Sequence, residues 1–157
     1  MRKQSDQQPE PSATQRLWTY EAVLRAIPYL RAVVRSLREH WLRVQSVRRR
    51  IQRLDSRPGC PDRQALISQA AAVEELEQAV IRLEETFDEL KAIDVHCIDP
   101  VNGLAMISFR MDDELAWYVF ELFSPQGLEA WRFHGDPLEM RRPLGQNAGS
   151  ELPTRSA

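Results

Sequence analysis

Apolar side chains recur with a strict seven-residue period between Leu66 and Leu90, and this pattern limits the possible fold more than any other feature of the chain. The two positions of the repeat are occupied by Leu66, Val73, Val80 and Phe87 and by Gln69, Leu76, Leu83 and Leu90. Seven of these eight residues are apolar, which is typical of a helix that packs along a second helix. A matching stripe occupies 30–54, and the stretch DSRPGCPD that follows it cannot continue a helix. The sequence therefore predicts a long antiparallel, coiled-coil-like helical hairpin.

The ends of the predicted helices carry capping signals. Thr19 is a good N-cap for a helix that begins at residue 20, and Asp62 serves a second helix that ends near Lys91. Pro28 has no N–H and collides with the preceding turn, so we expect a kink or a helix boundary there. The prediction is a short lead-in helix over 20–26, followed by a long helix over 28–54.

The last third of the chain is rich in aromatic and β-branched residues. Four such runs are separated by turn-forming residues; they span 95–98, 104–111, 115–123 and 129–134. They predict a four-stranded antiparallel meander. The third run is apolar on both faces, so it belongs inside the sheet. Either other parts of the protein cover both of its faces, or one face is exposed as an aromatic binding surface. The predicted class is α+β, with one domain over 16–144 between disordered tails at 1–15 and 145–157.

The composition argues against several classes of function. A formal net charge of −2 provides no overall field that would attract nucleic acid or anionic lipid. Cys60 and Cys97 are far apart and form no CxxC pair, so neither a zinc ribbon nor a disulfide framework is indicated. The first residues lack the apolar run of a signal peptide, and no stretch is long enough to span a membrane. We expect a cytoplasmic protein with no cofactor and no membrane association.

Polar residues near the ends of the predicted strands are candidate metal ligands: His96, Asp99, His134 and Asp136. We expect them at one end of the meander; the alternative is that they are ordinary edge and loop residues. An enzyme would use His134 with Asp136 or Asp99 as an acid–base pair, in an aromatic pocket formed by Trp117, Tyr118 and Trp131. Motifs of phosphate loops, serine hydrolases and metalloproteases are absent, so we predict no catalytic residue and no small-molecule substrate.

Arginines are concentrated toward the end of the first long helix: Arg43, Arg48, Arg49, Arg50 and Arg53. Such a cluster is a candidate site for nucleic acid or another polyanion. The alternative is neutralisation by the second helix, which is acidic. In an antiparallel hairpin, however, 48–53 lies opposite 63–68, which contains no acidic residue, and we expect the arginines at the tip to remain unpaired.

The second helix has more apolar surface than one partner helix can cover. A small-residue stripe of Ala65, Ala72 and Ala79 flanks the heptads on one side, and Ile67 and Ile81 lie toward the other. Short strands cannot cover the far half of the hairpin, so we expect a homodimer of two hairpins, or another protein docked there. The expected function is that of a non-enzymatic interaction or scaffold protein. Polyanion binding is the alternative, and an enzyme or metal-binding protein is third.

Short motifs at both ends of the predicted domain resemble one known family. They are Thr19-x-Glu21-Ala22 with Pro28 nine residues after the threonine, Asp99, Gly103-Leu104, and Arg141-x-Pro143-Leu144. Over about 18–144 the chain resembles an uncharacterised bacterial family, domain of unknown function 2203. The resemblance implies a capped, proline-kinked helix, a charged helical hairpin and a short β segment, and it implies no activity. Met106 stands where the family tends to place an aspartate, and its Trp-His pair is represented by Trp131 and His134 with two residues inserted.

Overall fold

The computed structural model describes residues 16–144, and the predicted tails at 1–15 and 145–157 lie outside the described residues. Helix α1 spans Tyr20–Asp55 and helix α2 spans Arg63–Ala92. Five strands follow: β1 Val95–Asp99, β2 Leu104–Met111, β3 Glu114–Glu121, β4 Leu128–Phe133 and β5 Arg142–Pro143. The predicted α+β class with a helical hairpin is confirmed. Neither helix of the described segment combines the length and the apolar content needed to cross a membrane.

Both helices begin at the predicted caps. Thr19 Oγ1 accepts a hydrogen bond from the Ala22 N–H at 3.2 Å, and Asp62 Oδ1 accepts one from the Ala65 N–H at 2.8 Å. These bonds satisfy N–H groups that have no partner within the first turn of a helix. The capping residues therefore fix where each arm of the hairpin starts.

The lead-in helix predicted over 20–26 is not a separate element, because α1 continues through Pro28. Proline in a helix interior removes one backbone hydrogen bond and costs about 3 kcal/mol. Val23 and Leu30 lie on either side of Pro28, and both are fully buried in the core. The packing of this face offsets the local cost, so the segment before the proline remains part of α1.

The contact between the two helices keeps one of the two predicted heptad positions of α2, where Leu83 and Leu90 are buried and Leu76 packs against the core, but shifts at the other. The heptad pattern places Leu66 and Val73 in the contact, yet both are exposed. Ala72 and Ala79 are buried instead, 1% and 7% exposed, together with Leu83 of the predicted repeat. Small side chains permit close approach of two helices, and bulkier neighbours then lie at the edge of the contact. The predicted hairpin is correct, but its α2 face is rotated toward the alanines.

The sheet is a meander in which each strand pairs antiparallel with the next in sequence, in the order β1-β2-β3-β4-β5. The four predicted strands agree with β1–β4 to within two residues. The sequence did not predict β5, whose two residues pair as Ala130 with Pro143 and Trp131 with Arg142. A two-residue strand that contains a proline has no alternating pattern from which it could be recognised.

Strand β3 occupies the middle of the sheet, and both of its faces are buried, as its sequence predicts. Toward the helices, Tyr118 stacks on Phe109 with ring centroids 3.9 Å apart, and both belong to the core that includes α1 and α2. We term the opposite side the far face. There, Trp117 and Val119 have no exposed surface and lie outside that core.

The segment 16–18, which we term the strap, ties the residues that precede α1 to the sheet. The Trp18 N–H donates to the Ser108 carbonyl at 2.8 Å, and the Trp18 indole N–H donates to the Ile93 carbonyl at 3.1 Å. Ser108 Oγ in turn donates to the Arg16 carbonyl at 2.7 Å. The strap therefore contacts both the end of α2 and the middle of β2.

Candidate functional site

On the far face, two histidines meet at one tryptophan. The Trp117 indole N–H donates to Nδ1 of His134 at 3.1 Å, and the His96 ring stands edge-on to the Trp117 ring with centroids 5.5 Å apart. An indole nitrogen only donates, so His134 Nδ1 is the acceptor and carries no proton in this arrangement. The sheet thus brings together His96 and His134, two of the four predicted metal-ligand candidates.

Arg132 adjoins this group, since its Cα is the partner of the Trp117 Cα in the neighbouring strand. The side chain is 0% exposed, and its Nη1 donates to the Asp136 carbonyl. Nε and Nη2 are also buried, and no residue of 16–144 provides either with an acceptor. Burial lowers the pKa of Arg132 from its usual value, and the charge of Arg141 lowers it further. A guanidinium stays protonated in proteins, so Arg132 is a buried cation with two unused donor nitrogens, Nε and Nη2.

The Asp136 carboxylate is already engaged. It accepts from the Phe133 N–H at 2.9 Å and from Nε and Nη2 of Arg142 at 3.0 and 3.2 Å. The hydrogen bond from Arg142 is the main reason that the pKa of Asp136 lies below its usual value. These contacts close the loop 134–141 between β4 and β5. Asp136 therefore closes a loop, and its carboxylate is not directed at the imidazole of His134.

Asp99 is also committed to a turn, and it lies at the other end of the sheet. Its carboxylate accepts from the N–H groups of Val101 and Asn102, both at 3.0 Å, and the bonds from Asn102 lower its pKa. Asp99 pairs with Leu104, whereas His134 bonds to Leu115 beside the far end of β2, about 20 Å away at 3.3 Å per residue. The expectation that the four candidates cluster at one end of the meander is wrong.

The positions of the side chains also argue against the metal site and the aromatic pocket considered above. Within residues 16–144, no three His, Cys, Asp or Glu side chains are placed to share a metal ion. The aromatic pocket predicted from Trp117, Tyr118 and Trp131 does not form, because Tyr118 and Trp131 face the helices while Trp117 lies on the far face. Neighbouring residues of a strand point to opposite sides, so Trp117 and Tyr118 cannot line one pocket.

The arginines near the hairpin tip are partly neutralised. Arg43 and Arg50 both form ion pairs with Glu75 of α2, and for Arg50 this is contrary to the expectation that the arginines of 48–53 remain unpaired. The other three candidates, Arg48, Arg49 and Arg53, are exposed. Residues 42–69 contain seven arginines and two aspartates, a net charge of +5, so the rest of the chain carries −7. The hairpin tip is a basic end on an acidic protein.

The predicted interaction residues separate into two groups. Ala72 and Ala79 are buried and Ala65 is half-buried, so the small-residue stripe belongs to the hairpin's own contact and cannot serve a partner as predicted. Ile67 and Ile81 are 51% and 49% exposed. Sequence reasoning assigned Leu66 and Val73 to the hairpin contact and so missed them as surface residues.

Sequence reasoning also missed Arg132. The available signal was its position in β4, where it alternates with Leu128 and Ala130, two residues that are buried in the structure. Arg132 lies on the far face, in register with Trp117 and on the same side of β4 as the buried Ala130, and a buried arginine departs from the usual pattern of buried residues.

Residues that carry the family resemblance shape the backbone. Thr19 caps α1, and Asp99 closes the turn before β2. Gly103 has φ +67°, and a Cβ there would lie 2.5 Å from the Leu122 Cβ, so no other residue fits without strain. These positions therefore shape helix starts and turns of this chain.

Comparison with known proteins gives one match. The model of an uncharacterized conserved protein family, DUF2203, matches residues 16–126, which include both helices and the first three strands. Neither the curated proteins nor the solved structures include a match to the chain. The matched segment covers well over half of the 157 residues and coincides with the hairpin and the start of the sheet. The chain therefore belongs to the DUF2203 family of uncharacterized conserved proteins.

Proposed function

We propose that this chain is a non-enzymatic interaction protein of the cytoplasm, and that its first partner is a second copy of itself. The observation that carries the proposal is an apolar strip on the outer side of α2 near the hairpin tip. We term it the outer stripe; it consists of Leu66, Ile67, Ala70 and Val73. The three larger residues are 51%, 51% and 42% exposed, and Ala70 is exposed as well.

The outer stripe has the spacing of one helix face. Leu66, Ala70 and Val73 follow each other at intervals of four and three residues, so they form a row along α2. Single exposed apolar residues are common, but a contiguous row of them is typical of an interaction surface. Ala70 is central, and its small side chain would let a second helix approach closely.

Charge favours an antiparallel second copy. If two α2 helices cross antiparallel with Ala70 at the twofold axis, positions equally distant from residue 70 face each other. Ile67 then meets Val73 of the partner, and Arg63 meets Glu77 of the partner, twice by symmetry. The same arrangement places the basic tip of each chain beside the acidic middle of the other, whereas a parallel pair would bring the two basic tips together.

Light scattering during size exclusion tests this proposal. The wild-type protein should have about twice the chain mass of 18.2 kDa at tens of micromolar, and Leu66→Arg should reduce it to one chain mass. Leu24→Arg is the matched control, because Leu24 is 44% exposed on α1 and lies outside the outer stripe. Wild-type protein that stays at one chain mass would contradict self-association.

The charge pair gives a stricter test of geometry. Arg63→Glu and Glu77→Arg should each weaken dimerisation by about tenfold, and the double variant should recover most of the loss. Arg25→Glu makes the same charge change at an exposed position of α1 far from the tip and should leave the dimer intact. Two additive losses without recovery would rule out this antiparallel arrangement.

A second candidate function is polyanion binding by the hairpin tip. The observation in its favour is the net charge of +5 over residues 42–69, where three arginines of the predicted polyanion site are exposed. Against it, Glu75 neutralises part of the cluster. Small clusters of arginine on a protein of net negative charge give weak, salt-sensitive contacts with phosphate backbones.

Anisotropy of labelled duplex DNA separates the two functions. At physiological salt we expect a Kd no tighter than micromolar, and we expect the combined change of Arg48, Arg49 and Arg53 to Gln to alter it little. Submicromolar binding that weakens steeply with salt and is lost in the triple variant would place polyanion binding ahead of self-association.

A further inference from the structure

The two donor nitrogens of Arg132 that have no partner, Nε and Nη2, lie on the same edge of its guanidinium. In the planar guanidinium, the N–H bonds of Nε and Nη2 point side by side, and Nη1 lies on the other side of the group. Nη1 donates to the Asp136 carbonyl, whereas the Nε/Nη2 edge has no acceptor within the described residues. This edge matches two oxygens on one atom, which is how arginine binds carboxylate and phosphate groups.

Burying this edge is costly for the fold. A buried charged group without hydrogen-bond partners is among the least favourable arrangements in a protein interior, and most such groups are paired. Arg132 is one of four polar or charged residues of the described chain that are buried. The other three are Thr86, Ser108 and Ser124. Arg132 is thus the one buried cation among them.

The local charge leaves one positive charge in excess. The ionisable groups that act on Arg132 or close the adjacent loop are Asp136, Glu139, Arg141 and Arg142. Together with Arg132 they amount to three cations and two anions. Asp136 is held by Arg142, and its carboxylate accepts nothing from the Nε/Nη2 edge of Arg132. A single monoanion would balance the group.

We propose that the far face of the sheet binds a small carboxylate, whose two oxygens accept hydrogen bonds from Nε and Nη2 of Arg132. This site lies in β4, outside the hairpin surface proposed for self-association. Trp117 is the register partner of Arg132, and the His96 ring packs edge-on against the Trp117 ring. We therefore place the apolar body of the ligand beside the Trp117 indole. Arg132 is fully buried, and the loop 134–141 contacts its guanidinium through the Asp136 carbonyl, so binding requires this loop to move.

Nuclear magnetic resonance of the arginine side chains tests the proposal on the full chain. The Arg132 Nε–H signal, assigned through its own side-chain carbons, is followed while sodium acetate is added at constant ionic strength. We expect a downfield shift that saturates, while the exposed arginines move little. A shift that never saturates, or that sodium chloride reproduces, would overturn the site. Saturation by inorganic phosphate but not by acetate would overturn the assignment to carboxylate.

Two lysine substitutions provide the variants. Arg132→Lys keeps the charge but removes the paired donors, so the affinity for acetate should fall at least tenfold. Arg110→Lys is the control, because Arg110 is exposed at the end of β2 and its substitution should leave the affinity unchanged. Binding is followed in both variants by the indole N–H signal of Trp117, after a thermal melt shows that each is folded. Equal affinity in the two variants would exclude Arg132 as the ligand-binding residue, and the direct wild-type titration stands if Arg132→Lys fails to fold.

Discussion

Cys60 and Cys97 illustrate how the surroundings of one residue type change its chemistry. Cys60 is exposed at the hairpin tip, whereas Cys97 lies in β1 and packs against the core. Burial raises the pKa of Cys97 to about 12. Because the thiolate is the reactive form, almost none of this thiol can react at neutral pH. Cys97 therefore behaves as a small apolar residue, and it offers no nucleophile to the far face.

Alkylation distinguishes the two thiols. At pH 7.5, iodoacetamide should modify the folded protein once, at Cys60, and twice after unfolding. We expect Cys97 to react at least about a hundredfold more slowly, in line with its thiolate fraction. The Cys60→Ser variant should remain unmodified while folded, and rapid labelling of that variant would show that β1 opens readily.

At the level of elements, local signals predicted more than packing signals did. The caps Thr19 and Asp62 and the first four strands follow from residue types whose preferences are local. The prediction of a helix boundary at Pro28 was wrong, because burial of the neighbouring side chains outweighs the tendency of proline to end a helix. The α2 face was predicted correctly at Leu83 and Leu90 but wrongly at Leu66 and Val73, because alanines and leucines alternate so closely that several faces look apolar. Choosing between them requires the partner helix, which only tertiary structure provides.

A pair of neighbouring alanines tests the observed helix contact. Ala72→Leu should destabilise the protein by about 1–3 kcal/mol, because the buried position between α1 and α2 has no room for a larger side chain. Ala71→Leu makes the same change at an exposed position and should have an effect within about 0.5 kcal/mol. Chemical denaturation measures both. Equal stability of the two variants would favour the face predicted from the heptads.

Over the whole molecule, the hairpin extends beyond the sheet that covers it. Helix α1 has 36 residues, about 54 Å at 1.5 Å per residue, whereas the longest strands have eight residues, about 26 Å. Val47 is the last buried residue of α1 and Ala72 is the first of α2. The tip beyond them therefore has no fully buried side chain, and its stability rests on the partly covered residues of the contact.

Hydrogen exchange should reveal this gradient. In dilute protein, amides of 64–71 should exchange at least about tenfold faster than those of 79–90, because opening a segment with little buried surface costs little free energy. Raising the concentration should slow exchange in 64–71 alone if the outer stripe joins two copies. Uniform protection along α2 at low concentration would contradict the gradient.

The candidate sites were less predictable than the fold for a related reason. His96 and His134 were found by residue type, but their meeting at Trp117 depends on strand register, which the sequence did not specify. Arg132 was missed because its burial depends on a loop that folds back over it. The exposed side of α2 could be identified only after the buried side was known.

The strap gives the chain an order of assembly. The hairpin forms between helices that are adjacent in sequence, and every strand pairs with its sequence neighbour, so most contacts close short loops and carry a small entropic penalty. The hydrogen bond from Trp18 to Ser108 instead encloses 90 residues of chain. Such a long-range closure is expected late in folding, after the hairpin and the meander exist as partners. The strap, although it precedes both helices in sequence, is thus the last segment to pack, and a chain still emerging from the ribosome cannot complete its fold until β2 has been synthesised.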